Sequence, residues 1–139
     1  MSADFLDTNV FVYVFDDRDQ RKKALARMAV REALDAGAVI SYQVVQETLH
    51  AITKRLPAPV TPEDARDFLS AVLVPLWRVM PSERLLSRGL DLMQRYQLAF
   101  YDSLIVAAAL EAGCSRLVTE DLHSGQRIES VTVVNPFAS

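Results

Sequence analysis

The chain has 139 residues, of which 50% are hydrophobic and 24% are charged, which predicts one globular domain over residues 1–139 and excludes a two-domain enzyme. Its single cysteine cannot form an internal disulfide, and its two histidines cannot complete a zinc site without other ligands. With no secretory signal and no run of about 20 apolar residues, we expect a cytoplasmic protein. The net charge of −3 argues against a polyanionic partner, unless several acids bind a metal ion.

Short apolar segments alternate with helical patterns along the chain. The apolar segments predict a strand that ends at Leu6 and strands at residues 38–41, 76–80, 116–119 and 131–134. Helices are predicted at residues 10–15, 18–36 and 43–56, after Thr61, after Ser82 and at residues 103–112. Residues 10–15 also fit a strand, but we favour the helix. The alternation predicts an α/β fold in which helices cover both faces of a parallel sheet.

Local patterns set three further expectations. Residues 7–9 are polar and predict a turn after the first strand. Pro75 is expected to limit the helix that begins after Thr61, because proline lacks the backbone N–H. The helix after Ser82 carries apolar side chains at helical spacing, which predict one apolar face: Leu86, Leu90 and Met93.

Four carboxylates stand where an α/β sheet can bind a ligand. Asp7 follows the first strand and Asp121 closely follows another, and ligands of parallel sheets bind beyond the carboxyl ends of the strands. Asp102 lies in the first turn of an apolar helix, where the helix dipole favours an anion. Glu47 lies between apolar residues of its helix, where an unpaired carboxylate is costly to bury.

If these four acids converge, they need a counter-charge. Two anions about 5 Å apart at an effective dielectric constant of about 20 repel by about 3 kcal/mol. A hard cation such as Mg²⁺ or Mn²⁺ suits all-oxygen ligands, whereas zinc prefers His or Cys. Setting the four charges aside changes the net charge from −3 to +1, which makes a phosphate backbone an admissible ligand. The predicted helix at residues 18–36 carries basic side chains that would suit a phosphate backbone, although a solvated helix face is the simpler interpretation of these charges. The basic residues are Arg18, Arg21, Lys22, Lys23, Arg27 and Arg31.

The candidate residues also have purely structural interpretations. A single Asp after a strand is more often a turn or cap residue than a ligand. Glu47 taken alone fits a half-exposed helix position. His50 and His123 have no partner at ligand spacing and are interpreted as surface residues, and Cys114 as a small buried hydrophobe. The functional hypothesis therefore depends on the convergence of the acids in space.

Four segments that span nearly the whole chain carry a family resemblance. They are Asp7-Thr8-Asn9-Val10, Glu47 about forty residues later, residues 101–109 (YDSLIVAAA), and Thr119-Glu120-Asp121-Leu122, with Val-Val-Asn-Pro-Phe near the end. In this order and spacing they resemble the PIN-domain nucleases, and more closely the VapC-type toxins of bacterial and archaeal toxin–antitoxin pairs. A single Asp-Thr-Asn is weak evidence, but four acids in this order, with an Ala-rich helix after the third, are strong evidence.

The resemblance implies a three-layer α/β/α sandwich with a mostly parallel sheet of about five strands. It implies an acidic catalytic pocket for Mg²⁺ or Mn²⁺, formed by Asp7, Glu47, Asp102 and Asp121. Of these, Asp7, Asp102 and Asp121 are expected to bind metal, and Glu47 to orient or deprotonate the nucleophile. The residues expected to support the ligands or orient substrate are Thr8, Asn9 and Thr119, with Glu120 assisting. Ala99 departs from the family, in which a Ser or Thr often caps the helix of the third acid.

The implied function is that of a magnesium-dependent endoribonuclease and toxin. A divalent ion in such a pocket eases deprotonation of water and neutralises charge that gathers on the phosphoryl oxygens. The implied partners are an RNA substrate, a cognate antitoxin that covers the pocket, and a second copy of the chain in a homodimer. Helices that could contact the antitoxin carry apolar residues for which a core role is the favoured interpretation: Val44, Leu49, Phe68 and Leu69.

Other classes of protein fit the sequence less well. A phosphate-accepting receiver domain needs a lysine late in the chain, and the last one is Lys54. A haloacid-type phosphatase needs a second Asp where Asn9 stands. Within the nucleases, the alternative is a housekeeping RNA-processing or DNA-flap enzyme of the same fold, although the compact length favours the toxin. Outside the enzymes, the alternative is a non-catalytic nucleic-acid-binding scaffold, in which gaps in the acid set would be expected.

Overall fold

The computed structural model describes residues 2–138 as strands and helices that alternate along the chain. The strands are β1 (Asp4–Leu6), β2 (Ile40–Ser41), β3 (Trp77–Val79), β4 (Arg116–Val118), β5 (Arg127–Ile128) and β6 (Val131–Val134). The helices are α1 (Thr8–Val12), α2 (Gln20–Ala36), α3 (Tyr42–Lys54), α4 (Pro62–Phe68), α5 (Val74–Leu76), α6 (Glu83–Tyr96) and α7 (Phe100–Glu111). A 3₁₀ turn at Tyr13–Phe15 extends α1, and a π-helical turn at Leu69–Leu73 joins α4 to α5.

The sheet is mostly parallel, as predicted. β1 pairs with β4 and β4 with β6, all parallel, while β5 pairs antiparallel with β6 at one edge. β2 and β3 form a second parallel pair. Val39 bridges to Phe5, with its N–H donating to the Asp4 carbonyl at 2.8 Å, so β2 lies beside β1. The resulting strand order is β3-β2-β1-β4-β6-β5, in which only β5 was not predicted.

Helices cover this sheet to give the expected three-layer α/β/α sandwich. Phe5 of β1 and Leu117 of β4 are neighbours in the sheet and are fully buried. The central helix α7 is buried over seven consecutive residues, from Ser103 to Ala109, which confirms its prediction as a core helix. Within residues 2–138, none of the helices has the length and apolar content required to cross a membrane.

One local prediction was wrong because capping changed the path of the chain. Thr8 and Asn9 are helical rather than part of a turn, since Asp7 caps α1 by accepting a hydrogen bond from the Thr8 N–H. The prediction for Pro75 agrees with the structure, because the helical path ends at Leu76, one residue after the proline, and β3 begins at Trp77. The π turn before Pro75 places the proline in the first turn of a short helical segment, where its missing N–H is tolerated.

Helix α6 buries a different face from the predicted one. Leu86 and Leu90 are 45% and 50% exposed, while the buried positions include Leu85, Gly89 and Leu92. A Cβ at Gly89 would lie 2.5 Å from Leu104 Cδ2, so the glycine allows α6 and α7 to pack very closely. Because glycine has no side chain, hydropathy spacing could not identify this contact face.

The candidate antitoxin-contact residues have mostly core roles, which is the interpretation that the sequence favoured. Val44 is fully buried. Phe68 packs edge-on against the Phe11 and Phe15 rings and is half-buried. Leu49 is also half-buried and packs against the core.

Candidate active site

Asp7 lies at the carboxyl end of β1, where it caps α1. Its Oδ1 accepts a hydrogen bond from the Thr8 N–H at 2.7 Å, and its Oδ2 accepts one from the Thr119 hydroxyl at 2.8 Å. The residue is only 5% exposed. Both carboxylate oxygens are thus oriented by hydrogen bonds from neighbouring elements, which holds the side chain in one rotamer.

Burial dominates the acidity of Asp7. It raises the pKa of this carboxyl from 3.8 to about 7, even though the Thr8 and Thr119 hydrogen bonds act to lower it. The charges of Asp121 and Glu47 raise the pKa further. Near neutral pH, Asp7 is therefore poised between its protonated and ionised forms, as expected for a carboxylate that lacks its counter-charge.

Thr119 links the two strand ends of the site. The parallel register pairs Leu6 with Val118, so Asp7 and Thr119 emerge side by side at the same edge of the sheet. Besides donating to Asp7, the Thr119 hydroxyl accepts hydrogen bonds from Asn9 Nδ2 and from the Asp121 N–H, both at 3.1 Å. One fully buried hydroxyl therefore positions Asp7, Asn9 and the backbone of Asp121 together.

The network around Thr119 predicts a stability difference between two conservative variants. Thr119→Val keeps the shape but removes the hydroxyl, leaving the Asn9 amide and the Asp121 N–H without this acceptor. We expect the free energy of unfolding to fall by about 1–3 kcal/mol, as measured by urea denaturation. Thr119→Ser retains the hydroxyl and should lose less. Equal losses for the two variants would show that the hydroxyl network does not stabilise the site.

Glu47 reaches the site from α3. The Thr8 hydroxyl donates to Glu47 Oε1 at 3.0 Å, and Gln43 Nε2 lies 3.5 Å from the same oxygen. Gln43 Nε2 also donates to the Tyr101 carbonyl at 3.2 Å, which ties α3 to the start of α7. The packing of α1 on α3 brings Glu47 towards Asp7, since the hydroxyl of Thr8, the residue after Asp7, donates to the Glu47 carboxylate.

Asp102 and Asp121 complete the acidic group. Asp102 lies in the first turn of α7, and its pKa is raised by burial and by the charges of Asp121 and Glu47. Asp121 follows β4 after Glu120 and is exposed. The four predicted acids line one cleft of about 420 Å³, together with Thr8 and Asn9. The structure thus brings together all four carboxylates, although their catalytic and metal-binding roles remain predictions.

The donor set of this cleft suits a hard divalent cation. Within residues 2–138, none of the four carboxylates forms a salt bridge with Lys or Arg. In the same part of the chain, no three His, Cys, Asp or Glu side chains stand in a preformed metal-binding group. Asp7, Asp102 and Asp121 are the oxygen ligands that would hold Mg²⁺ or Mn²⁺.

Glu120 does not point into the cleft. Its carboxylate accepts hydrogen bonds from the Tyr13 hydroxyl and, at 2.8 Å, from Lys22 Nζ. Its backbone N–H donates to Asn9 Oδ1 at 3.4 Å. The residue therefore anchors the loop after β4 to α2, and its neighbour Asp121 is the one that lines the cleft. Ala99, the N-cap of α7, makes no capping hydrogen bond with its side chain.

Gln43 and Arg55 line the cleft but were not identified from the sequence. Gln43 lies one helical turn before Glu47, a spacing that could have indicated it. Arg55 lies at the end of α3, where basic residues are common, and nothing in the local sequence distinguishes it. Arg18 was indicated only as part of the basic helix, and His50 only as a surface residue; both line the cleft, and His50 is exposed as predicted.

Comparisons with known proteins identify the family. The PIN-domain family model matches residues 5–126, and no curated protein matches the chain. A toxin–antitoxin complex from Klebsiella pneumoniae has a TM-score of 0.71 at 24% identity, covering 97% of this chain and 98% of that one. FitAcB from Neisseria gonorrhoeae has a TM-score of 0.65 at 18% identity, covering 96% and 98%.

VapC20 from Mycobacterium tuberculosis, named as a toxin that cleaves the sarcin–ricin loop, has a TM-score of 0.63 at 17% identity, covering 83% of this chain and 87% of that one. At these identities, likeness to the solved structures shows the shared fold. The match to the family model covers most of the sequence, from the first strand to the loop after β4. The chain belongs to the PIN-domain family.

Proposed function

We propose that this chain is a divalent-metal-dependent endoribonuclease, and that it acts as the VapC-type toxin of a toxin–antitoxin pair. The supporting observation is the convergence of Asp7, Glu47, Asp102 and Asp121 on one cleft, with no basic partner for any of them within residues 2–138. The shared fold with toxin–antitoxin proteins and with an RNA-cleaving toxin supports the same assignment.

The side chains of the cleft divide into ligands and orienting groups. Asp7, Asp102 and Asp121 would hold Mg²⁺ or Mn²⁺, which when bound supplies charge neutralisation at the phosphoryl oxygens and lowers the pKa of water. Thr119 and the Thr8 N–H fix the two oxygens of Asp7 for this role. The hydrogen bonds described above preorganise these groups, which limits the rearrangement required during the reaction.

Glu47 is the group proposed to accept a proton from the attacking water. The Thr8 hydroxyl and the Gln43 amide hold one of its oxygens, Oε1, which leaves Oε2 free for that proton. The carboxylate lies on the same cleft as the proposed ligands and is half-buried. A general base needs this combination of a fixed position and a free oxygen.

The antitoxin is proposed to cover the acidic cleft and also to contact a shallow groove beside it. This groove lies between α3 and α4 and is lined by Leu49 and Leu69, and His50 lines both the groove and the cleft. The exposed face of α6, with Leu86 and Leu90, is the proposed contact between two copies of the chain in a homodimer. Leu90→Glu should therefore shift sedimentation from a dimer to a monomer, and a wild-type monomer would contradict the homodimer proposal.

The test of the function is cleavage of RNA by the purified chain. We expect Mg²⁺ or Mn²⁺ to support endonucleolytic cleavage of RNA, and excess chelator to abolish it. DNA of the same sequence separates this activity from that of a DNA-flap nuclease. Expression of the chain should also slow cell growth, unless the small antitoxin gene adjacent to its own gene is co-expressed. Absence of RNA cleavage with either metal, by folded protein, would contradict the proposal.

A further inference from the structure

Two arginines line the same cleft as the acids. Arg55 caps the end of α3, eight residues beyond Glu47, which corresponds to about 12 Å along the helix. Arg18 follows the 3₁₀ turn that extends α1. Arg18 also lines a small recess together with Leu56, the residue after Arg55. The cleft therefore has an acidic part near Glu47 and a basic part near the end of α3.

A buried carboxylate holds Arg18 in place. Asp16 is 6% exposed and accepts hydrogen bonds from Arg18 Nε and Nη2, each at 2.9 Å, and from the Arg18 N–H at 3.0 Å. The Arg18 side chain is nevertheless 64% exposed. Its remaining guanidinium nitrogen, Nη1, has no partner within residues 2–138. One edge of the guanidinium is thus fixed by the protein while the other is free to bind an anion.

Arg55 is a charge without a protein partner. Its side chain forms no salt bridge or hydrogen bond within residues 2–138, although its backbone N–H donates to the Ala51 carbonyl at 2.9 Å. The only carboxylate paired with either arginine is Asp16, which is already engaged by Arg18. Both guanidinium groups line the same cleft, and only that of Arg18 has a carboxylate partner, so one positive charge is left without a partner within residues 2–138.

We propose that Arg18 and Arg55 bind a second phosphate of the RNA strand, distinct from the phosphate that is cleaved at the acids. This inference rests on the proposed function, because the acidic part must hold the scissile phosphate. Arg55 lies about 12 Å along the axis of α3 from Glu47, so a second phosphate can lie beside the arginines while the first lies at the acids. The proposed substrate is therefore an RNA strand that lies along the cleft beside α3.

Asp16 is a positioning residue in this arrangement. It touches no substrate and acts by fixing the Arg18 guanidinium. Asp16→Asn would weaken the charge-assisted hydrogen bonds to Arg18 while retaining the shape of the side chain. We expect it to raise KM for RNA in the same direction as Arg18→Gln, but by less.

The experiment compares Arg18→Gln and Arg55→Gln with Arg78→Gln, an exposed arginine on β3 that forms no salt bridge in residues 2–138 and lies outside the basic helix. Each cleft variant should raise KM for an RNA oligonucleotide about tenfold and change kcat less than twofold, since one charge-assisted contact is lost. The plot of log(kcat/KM) against log[salt] has a negative slope, and the magnitude of that slope should fall by about 0.7 for each lost phosphate contact. Arg78→Gln should match wild type in both measurements.

Substrate length separates phosphate binding from a general effect of charge. Oligonucleotides shortened stepwise from either end should reach a length at which wild type and the two cleft variants cleave equally, because the second phosphate is absent. Binding of the longer RNA, measured by fluorescence anisotropy in an Asp102→Asn background, should weaken by the same factor as KM rises. Arg18→Gln leaves the buried Asp16 carboxylate without its partner, which could disturb folding. Arg55→Gln leaves no buried group unpaired, so its effect on KM is free of such a defect.

The outcomes distinguish this inference from the function on which it rests. If wild type cleaves RNA but both cleft variants behave like Arg78→Gln, the proposed second phosphate site is wrong, while the proposed nuclease activity stands. If the variants lose the same activity at every substrate length, the arginines do not bind a distant phosphate. If folded wild type neither binds nor cleaves RNA, both proposals are wrong.

Discussion

Asp7→Asn is expected to lower kcat for RNA cleavage at least about a hundredfold, the scale seen when one preorganised electrostatic group is removed from an active site. Asparagine keeps the N-cap of α1, because its side-chain oxygen accepts the Thr8 hydrogen bond as well as aspartate does. It removes the negative charge required to hold a divalent ion. The loss of activity should therefore occur in a folded protein, as shown by an unchanged circular dichroism spectrum.

Two further variants complete this test. Asp102→Asn should lose activity on the same scale, since Asp102 lies on the same cleft and couples to Asp121 and Glu47. Asp35→Asn removes one carboxylate from an exposed position near the end of α2 and should leave kcat unchanged. Activity close to wild type in folded Asp7→Asn or Asp102→Asn would remove that residue from the proposed ligand set.

The metal-free protein is expected to become less stable as the pH rises from about 4 to above 7. Burial raises the pKa of Asp7 to about 7 in the folded chain, whereas the unfolded chain has the ordinary value of 3.8. The favourable contribution of the protonated carboxyl is complete below about pH 4 and is lost as the pH rises through 7. This difference corresponds to about 4 kcal/mol in the free energy of unfolding.

Urea denaturation of wild type and Asp7→Asn in chelator, from pH 4 to pH 8, measures this effect. Other groups titrate in both proteins, so the difference between the two curves isolates Asp7. As the pH rises, we expect the free energy of unfolding of wild type to fall relative to that of Asp7→Asn. Mg²⁺ added at pH 7.5 should stabilise wild type but not Asp7→Asn, because a ligand stabilises only the state that binds it. Parallel curves would show that Asp7 titrates normally.

The sequence predicted the central strands because their apolar segments are short and bounded by polar residues. It also predicted Asp7 and Asp121 as ligands, since residues that follow parallel strands are placed at one sheet edge. The pairing of β1 with β4 joins residues more than 100 positions apart. No local sequence pattern indicates that pairing. The prediction that Asp7 and Asp121 converge therefore depended on the order of the motifs in the family.

Other features could not be predicted because they depend on tertiary contacts. Gly89 sets the buried face of α6 through its close approach to Leu104, which hydropathy spacing cannot register. Glu120 and Asp121 are adjacent acids, and only the position of Lys22 on α2 shows which of them is neutralised outside the cleft. Arg18 and Arg55 are separated in sequence and line one cleft, which α1 and α3 form by packing together.

The central claim is that scattered acids form a binding site for a divalent ion. Isothermal titration of Mn²⁺ into the protein at pH 6, in two buffers of different ionisation enthalpy, measures both the binding and the protons that it displaces. We expect saturable binding by wild type with release of protons from Asp7, and no saturable binding by Asp7→Asn. No binding by folded wild type, or equal binding by both proteins, would contradict the account.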